Sequence, residues 1–503
     1  MTSDVQKIHH ETECVFAGID FGTSGCRISV IDGDERELFS DSVRWHQLAA
    51  SASSSTPTRQ PHTDGALAAD PSLWLAGLHR LMAAVPVEMR RSMRAIAVDG
   101  TSATVLLVDT TTGKVTRGCR LYNWSALDED EDEAPAEGPR AWAMAKAVSP
   151  PGSPACSPTS SFVKCLTWLL ERPLDADEKI AHQCDFVLAY LRSSEEGGPM
   201  EVVTDWNNAL KIGYDCETLS YPPWLKGHRT AADPSMRATL ESLFDALPPV
   251  VAPGEVLGHV AAGRVEQWSL PADCRVVSGT TDSIAAFLAA GASRVGDAVT
   301  TLGSTLAIKL LTPDPVEDAQ AGVYSHRIPL SVLPPGDRSS SDPTTTDRCF
   351  LAGGASNVGC AVLVDEGFSD DELRQLSAQI DPETDSPLDY YPMRGVGERF
   401  PFNDPHRVGR LQPKPGTRKE YLHGILQGIA SVEVAGYAKL KKLGGAPKAA
   451  VRRVFTAGGG AQNDVWRRMR ERMLGVPVIR SEHTDSAYGA ALLAKRALDR
   501  LSD

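Results

Sequence analysis

The sequence lacks the local signatures by which nucleotide and metal enzymes are commonly read. It has no G-x-x-x-x-G-K-[ST] loop, no G-x-G-x-x-G fingerprint, no H-E-x-x-H pair and no G-x-S-x-G elbow. Its ten cysteines, from Cys14 to Cys360, include no C-x2-C pair and have no histidine cluster beside them. That argues against a zinc site and for reduced thiols of an intracellular protein. Positive charge is in deficit: 51 Lys and Arg stand against 65 Asp and Glu, a net charge of −14. No general attraction to nucleic acid or to an anionic membrane is available, so any phosphate must be held by local, preorganised donors. Long apolar runs are missing too, none approaching the ~18 residues that span a bilayer. The first 13 residues, MTSDVQKIHHETE, have no apolar core and carry acids, unlike a signal or transit peptide. A cytoplasmic protein is expected, with a plastid left open as the other compartment.

What is present is ample for two large or three smaller domains. The chain has 503 residues, 42% apolar and 23% charged, an ordinary globular balance. Val15–Asp20 and Cys26–Val30 flank Phe21-Gly-Thr-Ser-Gly25 and read as strand, tight turn, strand. Ile96–Asp99 and Val105–Val108 repeat the pattern around Gly100-Thr-Ser-Ala-Thr104. Further on, helical patterns at Ser283–Ala290, Asp371–Gln379, Glu420–Lys442, Asp464–Leu474 and Ser486–Leu501 alternate with short β-rich runs, which predicts an α/β fold. Segments 51–61, 128–133 (six consecutive acids) and 334–346 read as solvated loops. An internal echo is informative. Val299-Thr-Thr-Leu-Gly-Ser-Thr-Leu-Ala-Ile308 has the plan of Gly18–Arg27, an apolar run, glycine with hydroxyl residues, then another apolar run. Two such hairpins suggest a duplicated architecture with ligand between the halves.

Four segments can carry chemistry. In Asp20-Phe-Gly-Thr-Ser-Gly25 the glycines let backbone N–H groups approach a phosphate, Thr23 and Ser24 add hydroxyl donors, and Asp20 can hold Mg²⁺ through water. A plain polar hairpin with an acid at its corner would use the same residues. Leu302-Gly-Ser-Thr305 is a shorter version of that turn. Ala457-Gly-Gly-Gly-Ala-Gln-Asn463 offers flat backbone for a base or ribose, or serves only as a strand-to-helix connection. Asn463 suits an N-cap, and Trp466 either stacks on a base or packs in the core. Gly279-Thr-Thr-Asp282 leads into an apolar helix that Gly291 would end. Asp282 there is an N-cap, a general base, or both, since a carboxylate at a helix start is rigidly oriented and kept ionised.

Together these segments resemble the FGGY carbohydrate kinases of the actin and sugar-kinase superfamily, nearly end to end, from Gly18-Ile-Asp-Phe-Gly-Thr to Ala487-Tyr-Gly-Ala-Ala491. More narrowly, the chain is similar to a branch from photosynthetic organisms whose members phosphorylate D-ribulose. Asp99–Leu107, Asp205–Gly213, Gly279–Gly291, Gly322–His326, Gly353–Asn357 and Tyr390–Pro401 carry that likeness. The resemblance implies two ribonuclease-H-like α/β domains about a cleft, residues 12–285 and 286–503, with ATP and Mg²⁺ as cofactors and a small sugar as partner. It implies Asp282 as the catalytic aspartate and Asp20 as the acid near metal and sugar. Thr23, Ser24, Gly303, Ser304 and Thr305 become phosphate contacts, Gly459, Gly460, Asn463 and Trp466 the adenosine pocket, and Ser102 a sugar contact. Many relatives place a tryptophan and a charged residue near Tyr122-Asn123-Trp124. Tyr-Asn there points away from xylulose and glycerol and toward D-ribulose. The alternatives are a D-xylulose kinase and, outside the class, an actin- or chaperone-like ATPase, or a sensor without turnover.

Overall fold

The computed structural model describes residues 14–52, 64–127, 137–194, 197–226, 233–333, 348–445 and 449–502. The three expected surface loops lie largely or wholly outside those residues. In chain order the strands are β1 (Val15–Phe21), β2 (Gly25–Ile31), β3 (Glu37–Arg44), β4 (Met93–Gly100), β5 (Val105–Asp109), β6 (Lys114–Arg120), β7 (Glu178–His182), β8 (Thr204–Asp205), β9 (Val250–Val251), β10 (Val256–His259), β11 (Arg275–Val277), β12 (Asp297–Leu302), β13 (Leu306–Thr312), β14 (Tyr324–Ile328), β15 (Cys349–Ser356), β16 (Tyr391–Glu398), β17 (Asp404–Arg410), β18 (Arg453–Ala457) and β19 (Val478–Arg480).

Two six-stranded sheets share one plan. The first runs β10-β11-β4-β1-β2-β3 and the second β14-β15-β13-β12-β18-β19. Each is centred on a strand, β1 or β12, that turns back antiparallel into its successor and pairs in parallel on its other side. The echo between residues 18–27 and 299–308 is therefore the same hairpin at the centre of each sheet. β1 is buried at every position, as a strand covered on both faces must be, which is why it reads as one apolar run.

One sequence expectation is corrected. β4 and β5 do not form a hairpin: β4 stays in the first sheet, and β5 joins β6 and β7 in a separate three-stranded sheet. The turn between them diverts the chain because Ala103, a non-glycine residue, takes φ +66°. The helices Asp282–Ala289, Arg418–Gly444, Asp464–Leu474 and Ser486–Ser502 form at or within a few residues of their predicted limits. The expected domain limit at 285/286 falls inside the first of these.

The C-terminal helix Ser486–Ser502 packs on β1 across the centre of the first sheet and crosses helix Asp282–Ala289. Both contacts need bare backbone. A Cβ on Gly18 would sit 2.0 Å from the Ala487 carbonyl oxygen, and one on Gly489 would sit 1.9 Å from that of Ala285. The apolar cluster around these helices draws Phe16, Ile31 and Val277 from the first sheet and Val299, Leu311 and Phe455 from the second, so one core spans both. No described helix is long and apolar enough to cross a membrane.

Candidate active site

Asp20 lies near the end of β1 and Asp99 near the end of β4, in parallel register opposite one another. Asp99 is wholly buried, and neither of its carboxyl oxygens meets an ordinary donor. Burial raises the Asp20 carboxyl, a side-chain hydrogen bond with Asp99 lowers it, and the Asp282 charge raises it again. Asp99 is raised well above the usual range, first by burial and then by Asp20. Two carboxyl groups sharing one buried site account for both. So much carboxylate, with Asp485 also close and Arg27 the cation beside Asp20, suits a divalent cation.

The first turn, Gly22–Gly25, is closed by Gly22 N–H donating to Gly25 carbonyl at 2.9 Å. The indole of Trp45 donates to the Gly22 carbonyl at 3.1 Å and fixes the turn from behind. Thr23 and Ser24 are left exposed at its tip. The second turn repeats this. Gly303 N–H donates to Thr305 carbonyl at 3.1 Å, and Ser304 and Thr305 are exposed. The triple glycine begins where β18 ends beside β12, pairing Ala457 with Thr301. Gly459 is exposed, and a Cβ added to it would meet nothing within 4 Å, so its face is open.

Asn463 caps helix Asp464–Leu474 as the sequence predicts, its side-chain oxygen accepting from Trp466 N–H at 3.0 Å. The stacking role considered for Trp466 is corrected. Its ring is 1% exposed and its Nε1–H donates to the Leu426 carbonyl at 2.9 Å. A Cβ on Gly460 would lie 2.7 Å from that ring, so the indole backs the glycines from the core side rather than facing a ligand.

Asp282 is corrected in one detail. The N-cap is Thr281, and Asp282 is the first helical residue, its Oδ1 accepting from Ser283 N–H at 2.6 Å. Thr281 bridges in parallel to Gly100, which seats the segment against the end of β4. Thr280 takes a hydrogen bond from Asn207 Nδ2 at 3.1 Å. The stretch Asp205–Gly213 thus serves the Asp282 loop, its first residue capping its own helix. The Asp282 carboxyl is raised above its ordinary value by burial, against which the Ser283 N–H, Lys309 and Lys211 act.

Lys309 on β13 comes from the second sheet, and its ammonium donates to the Ser283 carbonyl. Burial lowers it to about 8 and Asp282 opposes the fall. His326, on β14, is buried near both lysines and held well below its usual range by burial first, then by Lys309 and Lys211. The sequence gives no local sign of Asp99, Lys211, Lys309 or His326 as members of one site. Their partners are far away along the chain, and only the sheet order brings them together.

Ser102 is half-buried in the turn after β4, with Tyr122 and Asn123 exposed after β6. Tyr122 N–H donates to Thr104 Oγ1 at 3.0 Å, which joins the two loops. The stretch Gly353–Asn357 and the segment ending at Pro401 meet away from this region: a Cβ on Gly354 would lie 2.5 Å from the Phe400 ring.

Comparison with known proteins agrees with this geometry. Residues 300–498 match the model of the FGGY family of carbohydrate kinases, C-terminal domain. A xylulose kinase of Bacillus subtilis (strain 168) is 27% identical over 257 residues, 50% of this chain and 48% of the relative. A gluconokinase of the same organism is 22% identical over 274 residues, 51% and 50% of the two chains. The chain thus aligns with about half the length of these relatives. Among solved structures, a ligand-bound xylulose kinase from Lactobacillus acidophilus superposes with TM-score 0.70 at 16% identity, over 97% of this chain and 90% of that one. A Plasmodium falciparum glycerol kinase with ADP does so with TM-score 0.72 at 16% identity and the same coverage. The fold is accordingly that of these solved sugar kinases. Residues 300–498 are thus similar to the C-terminal domain of the FGGY carbohydrate kinases.

Proposed function

We propose that the chain transfers the γ-phosphoryl group of ATP to the terminal primary hydroxyl of a ketopentose, D-ribulose, giving D-ribulose 5-phosphate and ADP. Residues 12–285 and 286–503 act as the two domains. The observation that carries the reading is the convergence at Asp282: its segment bridges to Gly100 at the end of β4, one residue past the Asp99 that pairs in register with Asp20, and Lys309 reaches its helix from the strand that follows the second turn.

The Asp282 carboxylate accepts the hydroxyl proton, the sugar oxygen bonds to the γ-phosphorus, and the bond to the β–γ bridging oxygen breaks. A weak base suffices where phosphoryl transfer is largely dissociative and the proton moves late. Thr23, Ser24, Gly303, Ser304 and Thr305 donate to phosphate oxygens from the two turns. Gly459, Gly460 and Asn463 shape the adenosine pocket, with Trp466 supporting it from behind. Ser102 positions the sugar together with Asp20 and Asp282. Asp20, with Asp99 beside it, would hold Mg²⁺, whose chemistry there would be to offset the negative charge of the phosphates.

D-xylulose is the second reading, favoured by the xylulose kinases among the relatives and structural neighbours. ADP release measured over D-ribulose, D-xylulose, D-gluconate and glycerol separates them. The highest kcat/KM is expected for D-ribulose. A higher value with D-xylulose selects the second reading, and ADP release that no sugar stimulates makes the chain an ATPase.

A further inference from the structure

Lys164 lies in the helix Ser161–Glu171 with no part of its side chain exposed. Among the described residues no carboxylate pairs with it. Its ammonium nitrogen donates instead to two carbonyls, Ala103 at 2.8 Å and Leu121 at 2.6 Å. Burying a lysine without a counter-ion is unfavourable, and a methionine of similar length would fill the space without that penalty. Burial holds its amine down at about 7, with Lys211 adding to the effect. A neutral amine still has two N–H groups, matching the two carbonyls it meets.

What those carbonyls belong to gives the arrangement its meaning. Ala103 follows Ser102 in the turn at φ +66°, a conformation that a side chain opposes and that an external tie must hold. Leu121 precedes Tyr122 and Asn123, the exposed pair on the neighbouring loop. Three further bonds brace the junction. Tyr122 N–H donates to Thr104 Oγ1, Gln183 N–H donates to the Thr104 carbonyl at 3.1 Å, and the hydroxyls of Thr101 and Thr104 are 2.5 Å apart. From the other side, Arg120 donates to the Lys164 carbonyl at 2.7 Å while lying over the rings of Trp124 and Trp168.

The geometry points to Lys164 as a positioning residue for the sugar: by holding Ala103 and Leu121 on one nitrogen, it fixes the distance between Ser102 and Tyr122-Asn123 and so sets which sugar the enzyme accepts. This rests on the kinase reading above and on Ser102 as a sugar contact. Lys164 bonds Ala103 and Leu121 and neither phosphate turn, so its influence is expected at the sugar alone.

The test is a split between substrates. In Lys164→Met, the KM for D-ribulose is expected to rise roughly tenfold or more, because small displacements of positioning groups cost that much, while the KM for ATP stays within about twofold. The preference among D-ribulose, D-xylulose and glycerol should flatten. A merely structural lysine would lower the active fraction, hence apparent kcat and melting temperature, and leave both KM values alone. Thr104→Val loosens the same junction without emptying the core, and a smaller rise confined to the sugar KM is expected. Calorimetric sugar binding gives the same split independently of turnover. Equal effects on sugar and ATP, or an unchanged sugar KM in Thr104→Val if Lys164→Met fails to fold, overturn the inference. A wild-type protein that neither binds nor phosphorylates any sugar overturns the kinase reading instead, and this inference with it.

Discussion

Asp282 carries its charge where burial opposes it and two lysines favour it. The balance has a measurable consequence. As the proposed base, Asp282 would work only when ionised, so sugar kcat/KM is expected to fall as pH drops through its raised pKa. The midpoint of that fall should lie above the ordinary carboxylate range. Removing the Lys309 charge in Lys309→Met leaves burial less opposed, the Asp282 pKa rises further, and the midpoint moves to higher pH. Lys309→Arg should restore it. A midpoint that does not move would mean that Lys309 serves only to hold the Ser283 carbonyl. Trp466 shows the other face of residue-scale reasoning. Its position in the triple-glycine motif invites a stacking role, yet its Nε1–H is spent on Leu426, and truncation to Ala would cost ~3–5 kcal/mol through lost packing.

At the level of elements, glycines separate structure from binding. Gly489→Ala drives a Cβ into the Ala285 carbonyl, part of the helix that begins at Asp282. Overpacking of this kind costs about 1–3 kcal/mol or more. Urea unfolding should register that loss, together with lower kcat as the Asp282 helix is displaced. Gly459→Ala meets no atom, so its stability should be unchanged while the KM for ATP rises if the open glycine face receives the adenosine. An unchanged ATP KM there would remove Gly459 from the pocket. The elements that were legible in the sequence are those with local causes. β1, its turn and β2, the hairpin at 299–308 and the helix Asp464–Leu474 with its Asn463 cap follow from apolar runs, small hydroxyl residues and a capping side chain. The parting of β4 from β5 was not legible, because Ala103 gives no local sign of a positive φ. The ties Lys164–Ala103, Asn207–Thr280 and Lys309–Ser283 span 61, 73 and 26 residues, and no periodicity reports on them.

Across the whole molecule, two sheets of one plan are joined by a shared core, with side-chain bonds from the helices that pack on them. Arg496 makes a two-pronged pair with Glu35, both distances 2.9 Å, and Trp206 Nε1–H donates to the Arg327 carbonyl at 2.8 Å. Helix Asp282–Ala289 runs from the candidate base into that core, so any movement of the halves is felt at Asp282. In the proposed reaction, closure of the two halves on their ligands would exclude water from the phosphoryl group, which otherwise would go to hydrolysis. The most direct test of this account is ADP formation from ATP and D-ribulose by wild type and Asp282→Asn, with ATP binding measured in parallel. The account predicts turnover lowered ~10²–10⁴-fold in the variant with ATP affinity nearly intact; sugar phosphorylation at the wild-type rate in Asp282→Asn would contradict it.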